Sequence, residues 1–167
     1  MATRPLVRIA GACALALALA SCGFQLRGSS ELPFSSIYLG FPETSPLGVE
    51  LKRNLRGGNA VVVDDAARAD AALEVLSESR NKQILSLNSA GRVREYLLLY
   101  TLVFRVRDNK GGEIMPATEI TLRRNISFNE SETLAKESEE ALLYRDMQGD
   151  LVQQILRRLA AIKRTPA

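Results

Sequence analysis

Residues 93–107 constrain the fold most, because their apolar side chains recur with the period of two that is typical of a β-strand. Every even position from 96 to 106 is apolar: Tyr96, Leu98, Tyr100, Leu102, Phe104 and Val106. This set predicts the face of a sheet that lies on the core. The odd positions are also mostly apolar: Leu97, Leu99, Thr101 and Val103. A strand that is apolar on both faces usually lies in a sheet covered on both sides.

Two further strand-like segments flank this one, at residues 71–87 and 113–128. Turn-forming residues separate the three segments, at positions 88–91 and 108–112. Consecutive strands joined by short turns predict an antiparallel meander. We expect the first of the three strands to bend near residues 80–82.

The third segment also indicates where the sheet is open. Its core-facing residues are Ile114, Ile120, Leu122, Ile126 and Phe128, and its other face carries Glu119, Thr121, Arg123, Asn125 and Ser127. Pro116 predicts a bulge or an unpaired edge, because proline cannot donate to a strand ladder. The second face of the sheet is therefore mixed, and we interpret it as a candidate partner surface.

The N-terminal half of the domain predicts a β-α-β unit. Strands are expected at residues 34–41 and 59–63, and a parallel crossover should join them. Between them, Ser45 can cap a helix and Pro46 suits its first position. The helix has an apolar stripe at a spacing of four: Leu47, Leu51 and Leu55.

Residues 129–163 predict a long C-terminal helix that is acidic at its start and basic at its end. Its expected packing stripe is Leu134, Ala141, Tyr144, Met147 or Gln148, Leu151, Ile155, Leu159 and Ile162. The chain thus offers two helices, enough to cover one face of the sheet. The expected fold is α+β, a two-layer sandwich of two helices on a mixed sheet of four or five strands.

Residues 1–21 have the features of a cleaved secretory signal peptide. Arg4 and Arg8 form a basic start, and residues 9–20 form an apolar run that is too short to span a bilayer. The segment ends in Leu19-Ala20-Ser21-Cys22, which resembles the lipobox of bacterial lipoproteins. That resemblance implies cleavage before Cys22, with N-acyl and S-diacylglycerol lipid on that residue.

The mature chain lacks several of the side chains that enzymes commonly use for catalysis. It contains no His, and its remaining Cys is the expected lipid site because Cys13 leaves with the signal peptide. Imidazole bases, thiol nucleophiles, disulfides and His or Cys metal sites are therefore excluded. Asp64, Asp65 and Asp70 lack the spacing of a calcium loop, so we expect no metal and no cofactor. A binding protein is the better interpretation than an enzyme.

Charge gives no support for nucleic-acid binding. Removal of Arg4 and Arg8 lowers the formal charge from +3 to +1. A nucleic-acid-binding domain usually presents a strongly basic face, which a nearly neutral chain does not predict.

Several short stretches together resemble the LptE (RlpB) family of lipopolysaccharide-assembly lipoproteins. They are Cys22-Gly23-Phe24-Gln25-Leu26-Arg27, Arg53-Asn54-Leu55-Arg56, Glu95-Tyr96, Leu134-Ala135-Lys136 and Gln153-Gln154-Ile155-Leu156-Arg157-Arg158-Leu159. The resemblance implies the two-layer fold given above. It also implies a plug inside the outer-membrane β-barrel LptD, which the protein helps to assemble, and delivery of lipopolysaccharide to the outer leaflet.

The same resemblance implies basic residues that contact lipopolysaccharide, and the matching positions here are Arg92, Arg94 and Lys136. Gly23 follows the expected lipidation site, where inner-membrane lipoproteins tend to have Asp. We therefore expect a lipid-anchored protein on the periplasmic side of the outer membrane. The alternative is a periplasmic-facing accessory lipoprotein of a phospholipid-trafficking transporter.

The expected organisation has four parts. Residues 1–21 are the signal peptide, residues 22–33 the lipidated N-terminus and linker, residues 34–164 one domain, and residues 165–167 a tail.

Overall fold

The computed structural model describes residues 31–163, which form an α+β sandwich of two helices on a five-stranded mixed sheet. The elements in chain order are β1 (Ser36–Gly40), α1 (Pro46–Leu55), β2 (Val61–Val63), β3 (Ala71–Leu87), β4 (Val93–Asp108), β5 (Glu113–Ser127) and α2 (Thr133–Ala160). Short 3₁₀ turns occur at Ala66–Arg68 and Glu130–Glu132. The predicted fold class is confirmed. Predicted lipidation at Cys22, the signal peptide and the C-terminal tail lie outside the described residues.

The sheet has the strand order β2-β1-β3-β4-β5. β1 pairs in parallel with both β2 and β3, whereas β3, β4 and β5 form the predicted antiparallel meander. The chain therefore places its first strand inside the sheet, between two strands that follow it. Neither helix within residues 31–163 is long and apolar enough to cross a membrane.

The β1–α1–β2 unit forms as its sequence predicts. The Ser45 hydroxyl accepts a hydrogen bond of 3.1 Å from the Gly48 N–H, which satisfies one of the free donors at the start of α1. Pro46 occupies the first turn, where its missing N–H has no consequence. The predicted stripe is buried against the sheet: Leu47, Leu51 and Leu55.

The even positions of β4 form the centre of the core. Leu98, Tyr100, Leu102, Phe104 and Val106 have no exposed surface. From α2, the core receives Met147, Leu151, Val152, Ile155 and Leu159. The odd positions, such as Leu97, Leu99 and Val103, remain partly exposed on the sheet face opposite this core.

Pro116 lies in a bulge of β5, as predicted. The pairing with β4 shifts there, because Phe104 lies opposite Thr118 whereas Val106 lies opposite Met115. β5 is also the last strand of the sheet. The bulge and the unpaired edge predicted from Pro116 thus both occur on β5.

The N-terminal part of α2 does not pack as predicted. Leu134 is 81% exposed and Ala141 is exposed, whereas the buried stripe runs from Met147 to Leu159. The physical reason lies on the sheet, where the side of β3 that faces α2 carries Glu78, Arg80 and Lys82. Polar side chains give this part of the helix little apolar surface to cover.

Pairing of β3 with β4 is regular across residues 80–82, and its register shifts lie between Val75 and Ser77 and between Ile84 and Leu87. The bend expected near residues 80–82 therefore coincides with no register shift. Leu32, in the stretch predicted to be a linker, is only 5% exposed and belongs to the core. The Asn59 side chain holds the Leu32 backbone through two hydrogen bonds of 2.8 Å.

Candidate functional site

One end of the sandwich carries most of the residues that the sequence singled out. This end, called the tip below, comprises residues 84–94 and 127–136. Its turn is organised by Asn88, whose side-chain oxygen accepts hydrogen bonds of 3.0 Å from the N–H groups of Ala90 and Arg92. Gly91 closes the turn with φ of 75°, a conformation that favours glycine. The sequence of the turn thus fixes where β4 begins, at Val93 directly after Arg92.

Arg92 and Arg94 are exposed at the tip. The Arg92 guanidinium lies 3.5 Å from a Glu130 carboxylate oxygen, with both side chains more than 60% exposed. Such a surface ion pair contributes about 0–1 kcal/mol, so an anion can readily displace it. Within residues 31–163, the Arg94 side chain forms no hydrogen bond or ion pair.

Lys136 differs from the two arginines. Its side chain is 16% exposed, and its ammonium group donates to Ser127 Oγ at 3.0 Å and to Glu139 Oε2 at 2.9 Å. The bond to Ser127 joins the start of α2 to the end of β5. A ligand that reaches this ammonium group must compete with two existing acceptors.

Strand pairing brings the three cations to the same end. The Phe128 N–H donates to the Arg94 carbonyl at 2.8 Å, and Ser127 lies opposite Glu95. Lys136 contacts that same Ser127. Sequence reasoning identified these residues one by one, and the fold places them on adjacent segments.

The tip carries exposed apolar side chains as well as its three cations. Four large aliphatic side chains are exposed on or next to it: Ile84 at 60%, Leu85 at 45%, Leu87 at 55% and Leu134 at 81%. Cations beside exposed aliphatic groups suit a ligand that combines anionic groups with hydrocarbon chains. The tip therefore has the chemistry of an amphiphile-binding surface.

The tip and the N-terminal end of the domain lie at opposite ends of the sheet. Ile37, near the start of β1, is opposite Ala71, and Ala71 is opposite Asp108 at the far end of β4. The turn at residues 88–91 is at the other end of β3 and β4. Strands of this length extend for roughly 50 Å at about 3.3 Å per residue.

Sequence reasoning missed a second group of charged residues next to the tip. The Arg80 guanidinium carbon lies 4.5 Å from the Tyr100 ring centroid and 5.6 Å from that of Tyr144. Lys82 lies 4.2 Å above the Tyr96 ring and 2.6 Å from a Glu140 oxygen. The turn at residues 88–91 could have revealed this group from the sequence. Pairing the two strands that flank the turn places Arg80 opposite Tyr100.

Tyr100 is the ionisable group that this environment perturbs most clearly. Burial raises its pKa to about 12, and the hydrogen bond that its hydroxyl donates to Glu78 acts in the same direction. Arg80 opposes both effects. The neutral phenol is therefore stabilised, as suits a structural hydrogen-bond donor. Burial also raises the pKa of Tyr144, which borders the same cluster.

The acidic residues that lack the spacing of a calcium loop have structural contacts. Asp64 pairs with Lys52 at 3.1 Å, and Asp65 accepts from the Ala67 N–H at 3.0 Å. Asp70 accepts from the Ser35 and Ser36 backbone. Among residues 31–163, no cluster of three or more His, Cys, Asp or Glu is arranged to hold a metal.

The fold and the tip define a small two-layer α+β protein in which one end combines cations with exposed aliphatic side chains. The family model LptE, described as lipopolysaccharide-assembly, matches residues 34–159. The chain belongs to the LptE family. The resemblance read from the sequence is confirmed.

Relatives with established names agree with this assignment. The chain is 32% identical over 150 residues to the LPS-assembly lipoprotein LptE of Pectobacterium atrosepticum, covering 87% of this chain and 80% of that protein. It is 31% identical to the LptE of Yersinia enterocolitica over 87% and 72% of the two chains.

Solved structures show the same fold. A solution structure of lipoprotein B from Nitrosomonas europaea is 41% identical, with a TM-score of 0.72, over 83% of this chain and 91% of that one. The crystal structure of rare lipoprotein B from Shewanella oneidensis is 29% identical, with a TM-score of 0.67, over 76% and 95%.

Proposed function

We propose that this protein is an outer-membrane lipoprotein that plugs and helps to assemble the LptD β-barrel and binds lipopolysaccharide for delivery to the outer leaflet. The observation that carries the proposal is the tip, where exposed cations adjoin exposed aliphatic side chains. Lipid A combines phosphates with acyl chains, and both halves of that ligand find matching chemistry there. The role is binding and scaffolding rather than catalysis.

The position of the tip suits a lipid anchor at Cys22. The described chain begins at Glu31, at the end of the sheet opposite the tip. An anchor on the periplasmic leaflet would therefore leave the tip free to reach roughly 50 Å from the anchored end. A chain with several acyl groups on Cys22 would stay durably on the membrane.

The uncovered sheet face suits the lumen of a barrel. It combines apolar positions of β4 with polar ones of β5, such as Thr121 and Arg123. Interiors of outer-membrane barrels are polar, so a mixed face fits them better than a purely apolar one. A permanent complex of this kind should bury more than roughly 2,000 Å².

The partner is tested by pull-down from detergent-solubilised outer membrane. We expect the full-length protein to retain a large β-barrel that mass spectrometry identifies as LptD. A solubilised complex without any such barrel would contradict the plug role. The Cys22→Ser variant tests the anchor separately, and we expect it to be a soluble periplasmic protein.

The ligand is tested with a triple variant, Arg92→Ala/Arg94→Ala/Lys136→Ala. Its affinity for lipopolysaccharide should fall, and the loss should shrink at high salt, because screening weakens the wild-type contacts. The matched control is Arg53→Ala/Arg56→Ala/Lys110→Ala, which removes the same charge at exposed positions outside the tip. If both triple variants bind lipopolysaccharide with equal affinity, the tip cations do not form its binding site.

A parallel measurement separates lipopolysaccharide from glycerophospholipid. Vesicles of phosphatidylglycerol present anionic groups and acyl chains without the lipid A sugar. Preference for lipopolysaccharide supports the proposal, whereas preference for phosphatidylglycerol favours the accessory role in phospholipid trafficking.

A further inference from the structure

The outer edge of β5 is free, and two contacts show which of its backbone groups point outward. β5 pairs with β4 on one side, and no other strand within residues 31–163 pairs with its second side. The Phe128 N–H donates to Arg94 on β4, so even-numbered residues of this regular stretch point toward β4. The Arg123 carbonyl instead accepts from the Arg124 side chain at 3.0 Å.

In an antiparallel strand, the N–H and C=O of one residue point to the same side, and successive residues alternate. The odd residues Glu119, Thr121 and Arg123 therefore direct their backbone groups away from β4. No strand in the described part of the chain pairs with these groups, which form an edge of the kind that accepts another strand.

The side chains along this edge are self-complementary. On the uncovered sheet face, the order is the Glu119 carboxylate, the Thr121 hydroxyl and the Arg123 guanidinium, with Glu119 and Arg123 exposed. A second copy placed antiparallel about Thr121 brings each Glu119 opposite Arg123 of the other copy. Two identical ion pairs form, because a two-fold axis repeats every contact.

The same symmetry applies on the helix-facing side of the edge. Ile120 lies opposite Leu122 of the second copy in this register, and the partly exposed Leu122 gains an apolar neighbour. Opposite-charge and apolar cross-strand pairs each stabilise the pairing of two strands. The bulge at Pro116 ends the regular edge and limits the pairing to residues 118–124.

We propose that two copies of this chain associate through β5, antiparallel about Thr121, to form one continuous ten-stranded sheet. The Arg124 side chain would release the Arg123 carbonyl, while its contact with Asp150 on α2 can remain. The interface is small, so the dimer should be reversible. The dimer concerns the chain outside the barrel, because Thr121 and Arg123 lie on the face assigned above to the LptD lumen.

Charge reversal tests the pairing in the full-length chain carrying Cys22→Ser, which removes the lipidation site. Sedimentation velocity over a concentration series that extends to the millimolar range should show a monomer–dimer equilibrium. Glu119→Lys and Arg123→Glu each place like charges opposite each other at two positions. Each should raise the dimer dissociation constant about tenfold or more.

Two combinations should restore association. The double variant Glu119→Lys/Arg123→Glu regains both ion pairs with reversed sign. An equimolar mixture of the two single variants should form a heterodimer, because both charges at positions 119 and 123 are then positive in one copy and negative in the other. Restoration cannot arise from misfolding of the single variants. A wild-type chain that stays monomeric throughout, or combinations that fail to restore the dimer, would overturn the proposal.

Discussion

The Arg80 guanidinium stacks on the Tyr100 ring at 4.5 Å, at the point where apolar packing beneath α2 ends. The same guanidinium donates to the Tyr100 hydroxyl at 3.0 Å and to Gln148 of α2 at 3.1 Å. On one side of this contact, α2 is held by buried aliphatic side chains. On the tip side, it is held by hydrogen bonds and ion pairs together with partly buried Leu143 and Tyr144. The two parts of one helix therefore depend on different forces.

The first prediction compares two leucines of α2. Leu151 has no exposed surface, so Leu151→Ala should lower the free energy of unfolding by about 2–5 kcal/mol through lost burial and a residual cavity. Leu134 is 81% exposed, and Leu134→Ala should change it by less than about 0.5 kcal/mol. Urea denaturation monitored by circular dichroism measures both. Similar losses at the two positions would contradict the division of the helix.

The second prediction concerns local opening of α2. Residues 133–142 are held to the sheet by contacts such as Lys82–Glu140, whose side chains remain 35% and 23% exposed. Amide hydrogen exchange should be faster there than at residues 147–159, and added salt should increase it selectively. Exchange measured by mass spectrometry at low and high salt checks this. Salt-independent protection in the first segment would argue against an ionic attachment.

The third prediction follows from the raised pKa of Tyr100. The unfolded chain loses this proton near pH 10, about two units below the folded pKa, so ionisation favours unfolding above that pH. The stabilisation of the folded chain by the neutral Tyr100 phenol is fully present below about pH 10. It is lost as the pH rises toward 12, by roughly 2–3 kcal/mol in total.

The variant for this prediction is Tyr100→Phe. It should be less stable at neutral pH, because Glu78 and Arg80 lose a hydrogen-bond partner. Its stability should also fall less steeply than that of the wild type above about pH 10. Denaturation midpoints across an alkaline pH series give both slopes. If the midpoints of the wild type and the variant fall in parallel with pH, ionisation of Tyr100 does not cause the loss of stability.

The fourth prediction tests the cap of α1. Ser45→Ala removes the acceptor for the Gly48 N–H and should cost about 0.5–2 kcal/mol. Thr44→Ala, at an exposed neighbouring position, is the matched control and should have little effect. Thermal unfolding compares the two variants. An equal effect would mean that the hydroxyl at position 45 does not act as a cap.

Local patterns predicted the elements closely. The segment expected to be a strand at residues 71–87 is β3, Ala71–Leu87, and the stripe of Leu47, Leu51 and Leu55 is buried. Alternation and helical spacing report burial directly, because they repeat with the geometry of the backbone. The error at Leu134 arose where an apolar side chain fits the helical period but meets polar residues on the sheet.

The candidate site was predicted less completely. Arg92 and Lys136 were chosen by resemblance, and their different surroundings could not be anticipated. Arg92 is exposed beside Glu130, whereas Lys136 is largely covered and bound to Ser127. Burial of a single cation depends on which segments meet around it, and those segments are far apart along the chain.

The sequence by itself determined the two helices, the meander and the cap at Ser45, because each depends on neighbouring residues and on backbone periodicity. Only the tertiary structure decided that β1 inserts between β2 and β3, and that the tip lies opposite the chain's described start. It also decided that Arg80 stacks on Tyr100 and that Glu119 and Arg123 lie on a free edge. These features depend on contacts between distant segments, which local periodicity does not encode.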